Sequence, residues 1–157
     1  MFMTNILKAE QTAIAQIEQA FANAGWSDGW GLSDDEVRNA PGPLFYRNAT
    51  PTTATEARAT IDGQTHCVYA IYNIIDNAPK YAENKPTTTD ITVNLTFYYD
   101  DPSLFDKGAF AKYMEVLLDE LADGLWTLSG EGEGAVPATD DGGPYLQRKI
   151  IFATNNF

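Results

Sequence analysis

The stretch that decides the fold is His66 to Asp100, HCVYAIYNIIDNAPKYAENKPTTTDITVNLTFYYD. It predicts two long strands joined by a tether at residues 76–87. In the second strand, apolar and polar residues alternate from Thr88 to Tyr99, which is typical of a strand with one buried face. The first strand, residues 66–75, is apolar on both faces. This pattern predicts a central strand with the second strand antiparallel beside it.

Two amphipathic helices flank this hairpin. The apolar stripe of the first helix consists of Leu7, Ile14, Ile17, Phe21 and Ala24, with Gly25 as its end and Glu10 as a charge expected at the rim. The stripe of the second helix consists of Phe110, Met114, Leu117, Leu121 and Leu125. A closing strand is predicted from Tyr145 to Ala153. The expected fold is therefore an α+β, two-layer sandwich: an antiparallel sheet of three to five strands, two helices on one face and the other face open.

The chain length of 157 residues predicts a single domain, 1–157, with its own hydrophobic core. Residues 26–64, rich in turn formers, are expected to form a loop-rich insertion, and residues 76–87 a long hairpin tether. The one cysteine, Cys67, cannot form an internal disulfide and is expected to be a buried thiol. Neither a signal peptide nor an apolar run of the ~20 residues needed to span a bilayer is recognisable, so we expect synthesis in a cytoplasm.

The charge of the chain is strongly negative. Twenty-two acidic and ten basic residues give a formal net charge of -12. Such a protein repels nucleic-acid phosphates and anionic membrane surfaces at long range. We therefore expect neither specific nucleic-acid binding nor membrane binding.

No motif predicts reaction chemistry. His66 and Cys67 are neighbours in a strand and point to opposite faces, so they cannot act together as base and nucleophile, and a single histidine with a single cysteine is not a zinc ligand set. The glycine run 130–134 lacks the phosphate-binding ending and carries two glutamates. Asp140 and Asp141 do not match a calcium loop. The sequence predicts no catalytic residue, cofactor or metal, and hence no enzyme.

The order of elements and the string from Lys80 to Pro86, KYAENKP, resemble the tail terminator (tail completion) proteins of long-tailed bacteriophages. Members from phages and prophages often carry a Tyr-Ala-Asp-Asn-Lys string, which residues 81–85 match with Glu83 in place of aspartate. The resemblance covers residues 66–153 and the first helix, whereas segment 26–64 is longer than usual in that family. It implies a structural virion protein of the tail or neck: a ring, commonly a hexamer, that caps the tail tube and joins it to the head-tail connector.

The resemblance and the open sheet face together predict an interface for self-assembly or partner binding. Its residues are Tyr81, Glu83, Asn84 and Lys85 of the tether, and Asp90, Thr92 and Asn94 of the alternating strand. The alternative is a small acidic inhibitor of the immunity-protein type acting on a basic partner, because opposite charges steer association. An enzyme is the remaining, weaker alternative. Oligomeric state distinguishes the first two hypotheses, since the inhibitor is expected to be a monomer.

Overall fold

The computed structural model describes residues 2–61, 63–82, 85–101, 104, 108–124, 126–131, 136–137 and 146–154. The helices are α1 (Phe2–Asn23), α2 (Asp34–Arg38) and α3 (Gly108–Asp123), with a 3₁₀ helix at Thr52–Glu56. The strands are β1 (Ser27–Asp28), β2 (Leu44–Arg47), β3 (Ala59–Ile61), β4 (Gln64–His66), β5 (Val68–Ala82), β6 (Lys85–Tyr99), β7 (Thr127–Glu131), β8 (Val136–Pro137) and β9 (Leu146–Thr154). Within these ranges, no helix has both the length and the apolar character needed to cross a membrane.

The predicted antiparallel hairpin is confirmed as the centre of the sheet, but its strands are longer than predicted. Strands β5 and β6 pair from Val68 opposite Tyr99 to Ala82 opposite Lys85. The expectation of a tether at residues 76–87 was therefore wrong, because only residues 83 and 84 separate the strands and those two lie outside the described residues. Longer strands are favoured because pairing satisfies backbone donors and acceptors that a loop would leave to water. Connections of two residues are also the commonest in hairpins.

The sheet is mixed, which corrects the antiparallel sheet of three to five strands. Its strand order is β1-β2-β5-β6-β9-β7, with β8 added on β9, and β3 and β4 form a separate hairpin. Strand β2 runs parallel to both β1 and β5, whereas the other pairs are antiparallel. A parallel pair needs a crossover of a dozen or more residues, and residues 48–67 supply it between β2 and β5.

Helices α1 and α3 pack on the same face of the sheet, as predicted. The fully buried side chains of this face include Ile17 and Phe21 of α1, Phe110 and Leu117 of α3, and Ile91, Val93, Leu95 and Phe97 of β6. Phe21 stacks on Phe45 of β2 with ring centroids 4.7 Å apart. Trp26, which follows α1, is buried against the same cluster, while Trp30 is 50% exposed. The core thus joins the two helices to β2, β5 and β6.

The opposite face of the sheet is partly covered, so the expectation of an open face was wrong for this part. Segment 26–64 packs there against the start of β5 in a second buried cluster, which consists of Val37, Ala40, Leu44, Tyr46, Ala54 and Ala57 of the segment together with Cys67 and Tyr69. Helix α2 begins with a capping box between Ser33 and Glu36, and a 2.9 Å ion pair from Arg38 to Glu56 connects α2 to the 3₁₀ helix. The segment expected to be a loop-rich insertion therefore builds the second layer of the core.

Candidate interaction site

The outer part of the β5–β6 hairpin forms an arm, residues 76–82 and 85–90. Strand β2 pairs with β5 only as far as Tyr72, and β9 pairs with β6 only from Ile91 onward. Among the described residues, the two strands of the arm therefore pair only with each other. At roughly 3.3 Å per residue the arm extends about 20 Å. A two-stranded hairpin is marginally stable on its own in water, so the arm gains stability when another surface covers it.

The structure divides the predicted interface residues between two places. Tyr81 and Lys85 lie at the tip of the arm, where Tyr81 pairs with Pro86 and Ala82 with Lys85. Glu83 and Asn84, predicted for the same surface, lie outside the described residues. The remaining three residues belong to β6 nearer the body of the sheet: Asp90 at the base of the arm, and Thr92 and Asn94 beyond it.

The second place is on the sheet face opposite α1 and α3, beyond the second buried cluster. Asp90, Thr92 and Asn94 are half-buried there, and their neighbours on β9 are apolar: Ala153 opposite Thr92 and Ile151 opposite Asn94. Within the described part of the chain the Asn94 side-chain oxygen is buried without a hydrogen-bond partner. This surface therefore combines polar residues of β6 with apolar residues of β9. The sequence of β6 alone indicated only the polar part, because the pairing of β9 with β6 could not be predicted.

A cleft of about 450 Å³ lies at the base of the arm and was not predicted. It is lined by Glu10 and Ile14 of α1, Arg47 and Asn48 at the end of β2, and Tyr72 and Ile74 of β5. Asn48 has a positive φ of 69°, and the amide of Ala49 donates to the carbonyl of Arg47 at 2.8 Å. This tight turn is of the rare, strained kind, and it directs the chain away from β5. The turn lies at the end of β2, opposite Tyr72 and shortly before the arm begins.

A partly buried hydrogen bond beside this cleft connects β5 to α1. The Tyr72 hydroxyl donates to Glu18 Oε2 at 2.5 Å, and the Tyr72 side chain is fully buried. The pKa of Tyr72 is raised far above its ordinary value, mainly by burial of the ring and then by the hydrogen bond and the negative charge of Glu18. Arg47 has a smaller effect that lowers this pKa. The phenol is therefore neutral at physiological pH and serves to hold α1 on the sheet.

A smaller groove of about 280 Å³ lies between α1 and α3, and we call it the α1–α3 groove. It is lined by Gln16, Gln19 and Ala20 of α1, and by Glu120, Leu121, Asp123, Gly124 and Trp126 of α3 and the residues after it. The Asn23 amide donates to Glu120 Oε2 at 2.9 Å, and Trp126 Nε1 donates to Gln16 Oε1 at 2.9 Å. These bonds fix the position of one carboxylate at the rim and of the indole beneath it.

Two of the residues weighed for reaction chemistry, His66 and Cys67, contact Asp100 in the structure. His66 Nδ1 lies 3.2 Å from Asp100 Oδ1, and the amide of Cys67 donates to Asp100 Oδ2 at 2.9 Å. Cys67 forms no disulfide within the described residues and is buried, with 3% exposure, as predicted. No cluster of three metal-ligating side chains occurs in the described ranges. Most of the glycine run, and both Asp140 and Asp141, lie outside those ranges.

The sequence was compared with known protein families and with curated proteins. No protein-family model matches the chain, and no curated protein is significantly similar to it. The features of the described residues that bear on function are the arm, the sheet face beside Thr92 and Asn94, the cleft and the α1–α3 groove.

Proposed function

We propose that this protein is a structural component of a phage or prophage virion, a tail terminator or tail completion protein. In this proposal several copies form a ring, commonly a hexamer in the family it resembles, that caps the tail tube and joins it to the head-tail connector. The protein is made in the bacterial cytoplasm and ends in the tail or neck of the particle. The observation that carries the proposal is the arm, which pairs only with itself among the described residues.

The arm supports assembly for a physical reason. Its strands present backbone donors and acceptors along both outer edges, and such edges are seldom left bare in proteins. A neighbouring subunit, the tube protein or the connector protein can complete them by strand addition. Subunits of net charge -12 repel one another, so specific contacts of this kind are needed to hold a ring together. The same negative charge would keep DNA from adhering as it passes through the channel.

The proposal is tested by the oligomeric state of the purified protein. Sedimentation velocity over a range of concentrations should detect a ring, and assembly should strengthen from low to moderate salt, because screening reduces repulsion between charges beyond ~8–10 Å. An inhibitor of a basic partner would behave in the opposite way: it would remain a monomer, and its partner binding would weaken as salt rises. A monomer at every salt and protein concentration would refute self-assembly.

The role of the arm tip is tested by the double substitution Tyr81→Ala with Lys85→Ala. We expect the melting temperature to stay nearly unchanged and self-association to weaken by roughly tenfold, since an aromatic anchor and a charge are removed from the contact. Lys112→Ala, at an exposed lysine of α3, is the control and should leave assembly unchanged. A large loss of stability in the double variant would instead show that the tip supports the fold.

A further inference from the structure

We propose that the arm of one copy docks its tip in the α1–α3 groove of the next copy around the ring. This inference rests on the proposed function and specifies its contact. Between Asp76 and Asp90 at the base of the arm, the sequence contains two lysines, Lys80 and Lys85, and a single acidic residue. Residues 77–89 therefore carry a formal charge of +1 on a chain of net charge -12, and the two basic residues lie toward the tip while Asp76 and Asp90 lie at the base. The rim of the groove carries two carboxylates, Glu120 and Asp123, which complement it.

The groove has the size and lining expected for a protein side chain. Its volume of about 280 Å³ is at the lower limit of small-molecule pockets, which span roughly 300–1,000 Å³. The apolar residues Ala20, Leu121 and Trp126 line it beside the two rim carboxylates. A lysine matches this combination, because its long apolar stem can be buried while its ammonium group stays at the charged rim.

The rim is also held in place before any partner arrives. Asn23 donates to Glu120 at 2.9 Å and itself accepts a 2.8 Å hydrogen bond from Gln19. A carboxylate held by such a chain loses little conformational freedom when a partner binds, and preorganisation of this kind favours affinity.

The positions of the arm and the groove predict a head-to-tail contact. The cleft beside the base of the arm is lined by Glu10 and Ile14 of α1, whereas the groove is lined by the later residues Gln16, Gln19 and Ala20. Along β5, Tyr72 contacts Glu18 of α1, and Ile74 lies near the earlier residues Glu10 and Ile14. Strand β5 therefore runs toward the start of α1, and the arm continues in that direction, away from the groove of its own subunit. Two different surfaces joined between copies make a heterologous contact, which produces a closed ring or an open filament and not a two-fold dimer.

Reversing the charge of the two groove carboxylates tests the contact, because arm docking and simple repulsion between negative subunits predict opposite effects on assembly. The double variant Glu120→Lys with Asp123→Lys changes the net charge from -12 to -8, since each reversal adds two positive charges. Lower net charge alone would favour assembly. Arm docking predicts the reverse: at ~0.15 M salt, where contact pairs are screened less than distant charges, the dissociation constant of the ring should rise tenfold or more.

A matched control and a rescue complete the experiment. Glu115→Lys with Asp119→Lys also gives -8 and lies on the exposed side of α3, outside the groove, so it should assemble at least as well as the natural protein. Adding Lys80→Glu and Lys85→Glu to the groove variant restores -12 and the opposite-charge pairs, and should recover assembly. If loss of the Asn23 bond destabilises the groove variant, Glu120→Gln with Asp123→Asn keeps the shape and should weaken assembly several-fold.

The outcomes separate this inference from the proposed function. If the natural protein assembles and the groove variant assembles as well as the control, arm docking is overturned and the ring proposal stands. Lost assembly that the compensating arm reversal does not restore would also overturn the pairing of arm and groove. A natural protein that is monomeric under all conditions would overturn both.

Discussion

Two tyrosines on opposite faces of the sheet should respond in opposite ways to the same substitution. Tyr46 and Tyr72 are both fully buried, at 0% exposure. The Tyr72 hydroxyl donates to Glu18 at 2.5 Å, whereas the Tyr46 hydroxyl has no hydrogen-bond partner among the described residues. Changing each tyrosine to phenylalanine removes the same oxygen atom from two different environments.

The expected changes in the free energy of unfolding have opposite signs. A buried polar group without a hydrogen bond costs about 1–3 kcal/mol, so Tyr46→Phe should stabilise the protein by about 1 kcal/mol or more at pH 7. A hydrogen bond to a charged group contributes about 1.5–3 kcal/mol, so Tyr72→Phe should destabilise it by a similar amount, because Glu18 loses this donor.

The change of the free energy of unfolding with pH provides a second, independent test of the two tyrosines. Burial, followed by the negative charge of Asp28, raises the pKa of Tyr46 to about 12 from an ordinary value of 10.0, and the pKa of Tyr72 is also raised. The stability that each neutral phenol contributes is fully present below pH 10 and is lost as the pH rises toward and through its folded pKa. By pH 11 the loss for Tyr46 is on the order of 1 kcal/mol, and the loss for Tyr72 has the same sign. Each phenylalanine variant should therefore gain stability relative to the natural protein between pH 7 and pH 11, by on the order of 1 kcal/mol for Tyr46→Phe.

Urea unfolding followed by circular dichroism at pH 7 and pH 11 measures both effects. The double variant is the internal control, because Tyr46 and Tyr72 lie in different buried clusters and their effects should add within about 0.5 kcal/mol. A Tyr46→Phe variant that is less stable than the natural protein at pH 7 would refute the unpaired hydroxyl. Differences that do not grow between pH 7 and pH 11 would refute the raised pKa values.

Two further predictions concern the cluster on the opposite face of the sheet. Cys67, 3% exposed, should resist alkylation in the native protein and react fully after denaturation; rapid native labelling would contradict its placement. Gly29→Ala would place a Cβ atom 2.3 Å from Tyr46 Cζ, so overpacking should lower the free energy of unfolding by about 1–3 kcal/mol in urea titrations. Gly31→Ala meets no atom within 4 Å and should leave stability nearly unchanged; equal effects at the two glycines would contradict the packing of Tyr46.

Local periodicity was enough to predict the helical layer and the central hairpin. The apolar stripes of α1 and α3 and the alternation along β6 are short-range patterns, because the periods of 3.6 and 2 residues are set by backbone geometry. The confirmed burial of Phe21, Leu117 and Val93 follows from these patterns, as does the burial of Cys67, which lies directly before β5 in a stretch that is apolar on both faces. The end of α1 near Gly25, with φ at 94°, was also readable from one residue type.

The extent of the hairpin and the identity of its neighbours were decided by the tertiary structure. Pro79, Pro86 and the polar residues between them are typical of a loop, yet cross-strand pairing with a facing strand places both prolines in β-structure. Likewise, Leu44 to Arg47 could be predicted as a short strand, but its parallel position beside β5 depends on a crossover whose path local sequence does not determine.

The candidate sites required the folded chain because their residues come from distant segments. Trp126 and Gln16, 110 positions apart, meet in the α1–α3 groove, and Tyr72 and Glu18, 54 positions apart, meet beside the cleft. A sequence pattern reports the residues of one helix or strand, whereas a groove depends on which elements pack together and at what distance. The sequence alone therefore determined the charge of the chain and the residues available for contact. Only the packing of α1, α3 and the sheet determined which of those residues share a surface.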